Sequence, residues 1–188
     1  RRMGGMTRII AGRLGGRRLR VPGEGTRPTS DRVRESVFNM LAARSDLDGV
    51  WVLDLYAGSG ALGLEAISRG AAGATFVDSG RRAAVTISAN VRACGVAPNA
   101  TVHTRTVSAY LGGAAERRFG LVFSDPPYDL QADRIAADLA LLRSHLDDDA
   151  LIVVERSTRS TGEIWPSEYE VVVDKSYGDT RVEIARLV

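Results

Sequence analysis

From Val50 onward, apolar runs of strand length alternate with stretches whose apolar residues recur every three or four positions, the pattern of repeated βα units. Val50–Tyr56 reads as a strand, followed by a glycine loop and a helix over Ala61–Ser68. Ala74–Val77 and Arg81–Ala93 read as the second strand and helix. Ala100–Thr104 and Ser108–Glu116 form the third pair, Phe119–Phe123 and Ala132–Ser144 the fourth, and Leu151–Glu155 a fifth strand. The last two runs, Tyr169–Ser176 and Arg181–Val188, meet through Gly178-Asp179, a hairpin signal. Such an order predicts an α/β, doubly wound sheet that is mostly parallel and ends in an antiparallel hairpin. The first residues follow another pattern. Ile9-Ile10, Leu14, Leu19 and Val21 are interleaved with glycine and arginine, which predicts a small hairpin or extended arm turning at Gly15-Gly16. Pro28-Thr29-Ser30-Asp31 then opens a helix with Val33, Val37, Phe38 and Leu41 on one face. The expected division is a basic arm over 1–28 and a main domain over 29–188.

Length and composition narrow the function. A chain of 188 residues makes one domain that buries roughly 70% of its unfolded surface. The lone cysteine, Cys94, excludes an intrachain disulfide and a multi-cysteine metal site, and its helical surroundings make it a buried filler. His103 and His145 have no metal-ligand spacing and read as ordinary surface or strand residues, so no metal is expected. Trp51 and Trp165 read as packing residues. The start, Arg1-Arg2-Met3-Gly4-Gly5-Met6, lacks an apolar signal core, and no run approaches a membrane span, so a cytoplasmic location is expected. The net charge of +2 conceals an asymmetry: residues 1–34 carry ten arginines against Glu24 and Asp31, a local +8, which leaves −6 for the rest. Guanidinium groups neutralise phosphates, so the concentration at one end suits a nucleic-acid contact surface better than a solvated tail.

Two loops carry the chemistry. Gly58, Gly60 and Gly63 stand in G-x-G-x-x-G spacing within Asp54-Leu55-Tyr56-Ala57-Gly58, at a strand-to-helix junction. Glycines admit close approach of the backbone to a ligand, and the helix start favours negative charge. Asp78 ends the next strand, where an acid can hold ribose hydroxyls. A dinucleotide oxidoreductase shares this geometry, but a buried Asp54 would sit badly beside a pyrophosphate and suits a ligand bearing an ammonium group. S-adenosyl-L-methionine has that group, together with a carboxylate and a ribose.

Ser124-Asp125-Pro126-Pro127-Tyr128 is the second loop, at the end of the fourth predicted strand. Proline lacks an N–H, so the proline carbonyls are expected to project without a turn hydrogen bond. Asp125 and a proline carbonyl could accept the N–H bonds of a planar nitrogen-bearing group stacked on Tyr128. In a doubly wound sheet the two loops meet at the switch point, outside the strand carboxyl ends. One ligand on the first loop would then present its reactive group to the second.

Asp125-Pro126-Pro127-Tyr128 matches the [DN]PP[YFW] signature of methyltransferases acting on exocyclic or amide nitrogens. Arg8-Ile9-Ile10-Ala11-Gly12, Gly16-Arg17-Arg18-Leu19, and the run from Arg27-Pro28-Thr29-Ser30-Asp31-Arg32-Val33-Arg34-Glu35 to Leu41 resemble the RsmD family of bacterial 16S rRNA guanine-N2 methyltransferases. The resemblance covers the chain from Thr7 to Val188. It implies a Rossmann-like class I fold with a seven-stranded sheet and S-adenosyl-L-methionine as cofactor. It further implies transfer to N2 of one guanine in 16S rRNA, within an assembling 30S subunit; a monomer is the default expectation, since the sequence carries no sign of oligomeric state. The catalytic residues would be Asp125, Pro126, Pro127 and Tyr128. Asp54, Tyr56, Ala57, Gly58, Gly60, Gly63, Asp78 and Ser108 would hold the cofactor. Val107-Ser108 departs from the wider fold, where an acid commonly meets the adenine. RNA would meet Arg8, Arg13, Arg17, Arg18 and Arg20, and Arg27, Arg32 and Arg34 either join that surface or lie on a helix that serves as a structural cover for the sheet. Transfer to a protein glutamine amide or another nucleic-acid amine is the other enzymatic reading, and a non-catalytic RNA-binding factor a third.

Overall fold

The computed structural model describes residues 5–23 and 29–188. A short antiparallel hairpin, β1 (Met6–Arg8) and β2 (Arg18–Arg20), precedes helix α1 (Asp31–Ala42), whose start is capped by the Ser30 hydroxyl accepting the Val33 N–H. The main sheet comprises β3 (Trp51–Leu55), β4 (Gly73–Asp78), β5 (Ala100–Thr104), β6 (Phe119–Ser124), β7 (Leu146–Ser157), β8 (Tyr169–Tyr177) and β9 (Thr180–Leu187). Helices α2 (Ala61–Ser68), α3 (Arg81–Ala93), α4 (Val107–Leu111) and α5 (Ala132–Leu142) connect its parallel part. The strand order is β5-β4-β3-β6-β7-β9-β8, parallel from β5 to β7 and antiparallel at β9 and β8. The chain moves outward from β3 to β5 and then returns to β6 on the other side of β3, which creates a switch point between β3 and β6.

Both faces of the sheet are covered, so the central strands read as nearly continuous apolar runs. One core gathers Val52, Phe76, Leu121 and Phe123 with Phe38, Leu64 and Ile87; the other gathers Leu53, Val77 and Val122 with Val107, Ile135 and Leu139. Two elements and one side chain differ from expectation. β7 begins at Leu146, because Asp147–Asp149 continue the strand with their side chains in solvent. α4 stops at Leu111, ahead of Gly112-Gly113, where the backbone cost of helical glycine is highest. His145 is fully buried rather than exposed, its Nε2 2.9 Å from the Leu111 carbonyl.

The N-terminal hairpin is present, but its loop runs from Ile9 to Arg17 instead of turning tightly at Gly15-Gly16. Ile9, Leu14 and Leu19 are drawn into the core, and the loop lies over α2, where the Arg13 N–H bonds the Ser68 carbonyl at 2.9 Å. Polar side chains of α2 and α3 complete the docking. Glu65 accepts the N–H groups of Ile10 and Ala11 at 2.8 and 3.1 Å, Ser68 takes the Leu14 N–H and donates to the Ala11 carbonyl, and Asn90 bonds both the N–H and carbonyl of Arg20. Gly12 passes so close to α2 that a Cβ there would lie 2.0 Å from the Ser68 carbonyl oxygen, at φ +82. Gly12→Ala should therefore cost about 3 kcal/mol from backbone strain and overpacking. Thermal denaturation would show this as a melting temperature lower by roughly 9 °C. An unchanged melting temperature would mean that the hairpin does not need this approach.

Candidate active site

At the carboxyl end of β3, Asp54 is buried and its Oδ2 accepts the N–H of Gly63 at 2.9 Å. The chain then passes through Tyr56, Gly58 and Gly60, with φ of 54, 59 and 78, into α2. A non-glycine residue in the left-handed region, as at Tyr56, is uncommon and marks a strained turn. Gly63 is required by packing: a Cβ there would meet the Phe76 ring at 2.5 Å and Asp54 Oδ2 at 3.2 Å. Asp78, ending β4, accepts the Gly58 N–H through Oδ2 at 2.9 Å and the Gly80 N–H through Oδ1 at 2.8 Å. The Ala57 N–H bonds the Val77 carbonyl at 3.1 Å. Asp54 and Asp78 thus act first as clamps on the loop, while both still line the cavity beside it. Burial pushes the Asp54 carboxyl up to about 8; the Gly63 bond opposes the shift and nearby Asp78 adds to it.

The parallel register Leu55↔Ser124 sets the second loop next to the first. Asp125, Pro126, Pro127 and Tyr128 line the same cavity of about 950 Å³ as Asp54, Tyr56, Gly58 and Asp78. The wall beside them comes from the β8–β9 turn, Tyr177–Thr180. Tyr128 lies half in solvent at this rim, its hydroxyl 3.4 Å from Thr180 Oγ1. One expectation is corrected: the Pro127 carbonyl does take a turn hydrogen bond, from the Leu130 N–H at 3.0 Å, because the chain folds back at Tyr128-Asp129.

Sequence reasoning missed the neighbours of these residues. Glu155, near the end of β7 and adjacent to Asp125 across the sheet, is buried and lines the cavity. The Thr29 hydroxyl lies 2.9 Å from Glu155 Oε2 and 3.4 Å from Asp125 Oδ2. Burial raises the proton affinity of Asp125, and the adjacent Glu155 raises it further; Glu155 is raised by burial as well, while the Thr29 hydroxyl opposes both shifts. Glu155 carried a signal, since it is an acid ending an apolar run just as Asp78 does. On the opposite side Asp138 of α5 accepts from the Tyr56 hydroxyl at 2.6 Å and the Ser108 hydroxyl at 3.0 Å. The Tyr56 and Ser108 side chains are therefore braced by a buried acid, and Arg134 reaches Ser108 from the cavity rim.

Of the arginines expected to meet RNA, Arg8, Arg13, Arg17, Arg18, Arg20 and Arg32 are exposed. Arg8 pairs with Asp31 at 3.0 Å, and Arg17 donates to the Ala93 carbonyl at 2.8 Å. Arg27 lies outside the described residues. Arg34 is corrected: it is buried beneath the hairpin, donating to the Arg8 carbonyl, the Thr7 hydroxyl and Asp31. That guanidinium fastens the hairpin to α1 and is closed to a phosphate. Cys94 is buried. Among the described residues no cluster of side chains could hold a metal ion, and no helix is long and apolar enough to cross a membrane.

A Rossmann-like sheet with a glycine loop and an acid-Pro-Pro-Tyr cup facing one cavity at its switch point defines a methyltransferase. The family described as Conserved hypothetical protein 95 matches residues 7–186, and the chain belongs to that family. Ribosomal RNA small subunit methyltransferase D of Escherichia coli strain K12 is 38% identical over 175 residues, spanning 93% of this chain and 86% of the relative. The solved structure of yhhF from Escherichia coli superposes with a TM-score of 0.84 at 36% identity, covering 97% of this chain and 98% of that one. The structure of SMU.776 complexed with SAH shares the fold, with a TM-score of 0.69 at 15% identity over 83% of this chain and 48% of that one.

Proposed function

We propose that the protein transfers a methyl group from S-adenosyl-L-methionine to the exocyclic N2 of a guanine in 16S rRNA of the small ribosomal subunit. The observation that carries the proposal is the convergence of the Gly58–Gly63 loop and the Asp125–Tyr128 cup on one cavity. The 38% identical relative is named for small-subunit ribosomal RNA, which supports the substrate class.

The residues present fit the cofactor. Asp54 is a buried carboxylate whose ionisation is held back by burial, so a cationic ammonium beside it would recover that cost. Asp78 keeps lone pairs beyond its two amide bonds, enough to accept from ribose hydroxyls. Tyr56, Ala57, Leu130 and Ser108 offer a mixed apolar and polar wall for the adenine. When bound, S-adenosyl-L-methionine supplies a methyl group activated by a sulfonium leaving group. The protein holds the nucleophile. A guanine amine is weakly nucleophilic because its lone pair is delocalised into the ring. Asp125 and the Pro126 carbonyl, accepting its two N–H bonds, favour a tetrahedral nitrogen with the lone pair turned toward the methyl. Rate enhancement then comes from position and electrostatics rather than from a strong base. The methyl–sulfur bond would break with its electrons left on sulfur, and the methylated nitrogen, acidic once it is cationic, would release one proton to Asp125. Tyr128 stacks on the base, a contact worth roughly 1–3 kcal/mol. A base delivered from a single-stranded loop costs less to extrude than one in a duplex.

The basic hairpin supplies affinity. If Arg8, Arg13, Arg17, Arg18 and Arg20 make about five phosphate contacts, log K should fall against log salt with a slope of roughly −3.5. Deleting the hairpin would also remove Ile9, Leu14 and Leu19 from the core, so charge removal is the cleaner test. Arg13→Gln, Arg18→Gln and Arg20→Gln together should flatten the slope by about 2. An unchanged slope would show that RNA approaches elsewhere. Transfer itself is tested with labelled S-adenosyl-L-methionine on unmodified small subunits and on naked 16S RNA in parallel. Label in the subunit alone places the enzyme after partial assembly, label in both makes free RNA sufficient, and label in neither refutes the proposal.

A further inference from the structure

Asp125 and Glu155 form a carboxylate pair at the cavity wall that the chemistry above only half uses. They extend from neighbouring parallel strands, where the register Ser124↔Val154 places them side by side. Both reach one hydroxyl, that of Thr29, at 3.4 and 2.9 Å. A hydroxyl has a single proton to give. Among the described residues no other side chain donates to either carboxylate. Two buried carboxylates that share one donor are costly, and both of these face a cavity sized for ligands. The missing donors are therefore expected from whatever enters, and two adjacent acids call for two adjacent N–H groups on one edge.

A guanine provides that edge. Its N1–H and N2–H groups are consecutive donors, whereas adenine and 2,6-diaminopurine carry a lone pair at N1. Resting on the guanine-N2 reading above, we propose that Glu155 accepts the N1–H of the same base whose N2 amine is held by Asp125, so that Glu155 makes the site specific for guanine. Thr29, itself on the cavity wall, fixes the Glu155 carboxylate through its hydroxyl. A base with an acceptor at N1 would set its lone pair against the ionised carboxylate, and Glu155 would first have to take up a proton to pair with it, a step that guanine does not need. Sites built to hydrogen-bond a substrate group reject analogues lacking it far more strongly than apolar pockets reject a missing methylene.

The test compares the target RNA, free or assembled, carrying either guanine or 2,6-diaminopurine at the modified position. Diaminopurine retains the reacting N2 amine and differs at N1 and at position 6. Wild-type enzyme should prefer guanine in kcat/KM by roughly 100-fold. Glu155→Gln can still accept from Thr29 and from N1–H, and it can also donate to an N1 lone pair. Its preference should fall to within about threefold, with the change residing in the ratio rather than in cofactor affinity. Binding of S-adenosylhomocysteine and thermal melting of the variant report on its folding. Equal wild-type rates on the two bases would overturn the inference whether or not the variant folds. So would an unchanged preference in a folded Glu155→Gln protein. Absence of N2 transfer to guanine RNA by the wild type would instead remove the guanine reading, and the inference with it.

Discussion

Asp125→Ala is expected to abolish methyl transfer while leaving cofactor affinity within about threefold of wild type. The side chain follows the end of β6, beside the glycine loop but not bonded to it, so its loss removes an acceptor for the amine while the Asp54 and Asp78 bonds to that loop stay in place. The expected fall in kcat is at least about 100-fold, comparable with removal of a preorganised transition-state donor. More than a tenth of wild-type turnover would count against the assigned role. The pH dependence supplies a second reading of the same residue. Ionised Asp125 is the stronger acceptor for an N–H, and burial together with Glu155 holds its proton well above the ordinary carboxylate range. Wild-type activity should therefore decline on acidification in the region above the usual aspartate range. An inflection at ordinary aspartate values would contradict the buried pair.

Asp54→Asn should weaken S-adenosyl-L-methionine binding by roughly 10- to 100-fold, the loss of one charge-assisted contact, and yet stabilise the unliganded protein at alkaline pH. The sign follows from the raised carboxyl. Asp54 has an ordinary value of 3.8 and is pushed to about 8 in the fold. Between these values the folded chain holds a proton that the unfolded chain has released. Its contribution is complete below about 4 and is lost as pH rises through about 8, at about 1.4 kcal/mol per pH unit as an upper bound. Asparagine can keep the Gly63 N–H bond through its carbonyl and has no charge to bury. Urea unfolding at pH 5 and pH 9, beside calorimetric titration with cofactor, separates the two effects. A variant no more stable than wild type at pH 9, or one with unchanged affinity, would remove Asp54 from its role. The cost of this acid without ligand fits a stability penalty accepted at a binding site.

The strand-helix alternation, the switch point and both loops were legible because each rests on local pattern. Apolar runs announce buried parallel strands, and Gly58, Gly60 and Gly63 mark a turn that other residues adopt poorly. What escaped depends on pairs distant in sequence. Glu155 stands 30 residues from Asp125 and became visible only through the register of β6 and β7. Asp138 occupies the buried stripe of α5 with Ile135, Leu139 and Leu142, an acid where an apolar residue is expected; that anomaly was readable, though its partners Tyr56 and Ser108 were not. Arg34 shares a helical face with Phe38 and Leu41, so its spacing indicated burial even as its charge suggested RNA. The docked hairpin was hidden for another reason: Glu65, Ser68 and Asn90 look like ordinary helical polar residues until the backbone they bond is in place.

Nucleoside analysis of RNA methylated by the purified protein decides whether the guanine N2 amine is the acceptor. Small subunits lacking the modification are incubated with labelled S-adenosyl-L-methionine, and the RNA is digested to nucleosides. Label should appear in N2-methylguanosine alone, at a stoichiometry of about one per subunit, and be absent with Asp125→Ala. Label in a methylated adenosine, in protein, or spread over many guanosines would contradict transfer to N2 of one guanine.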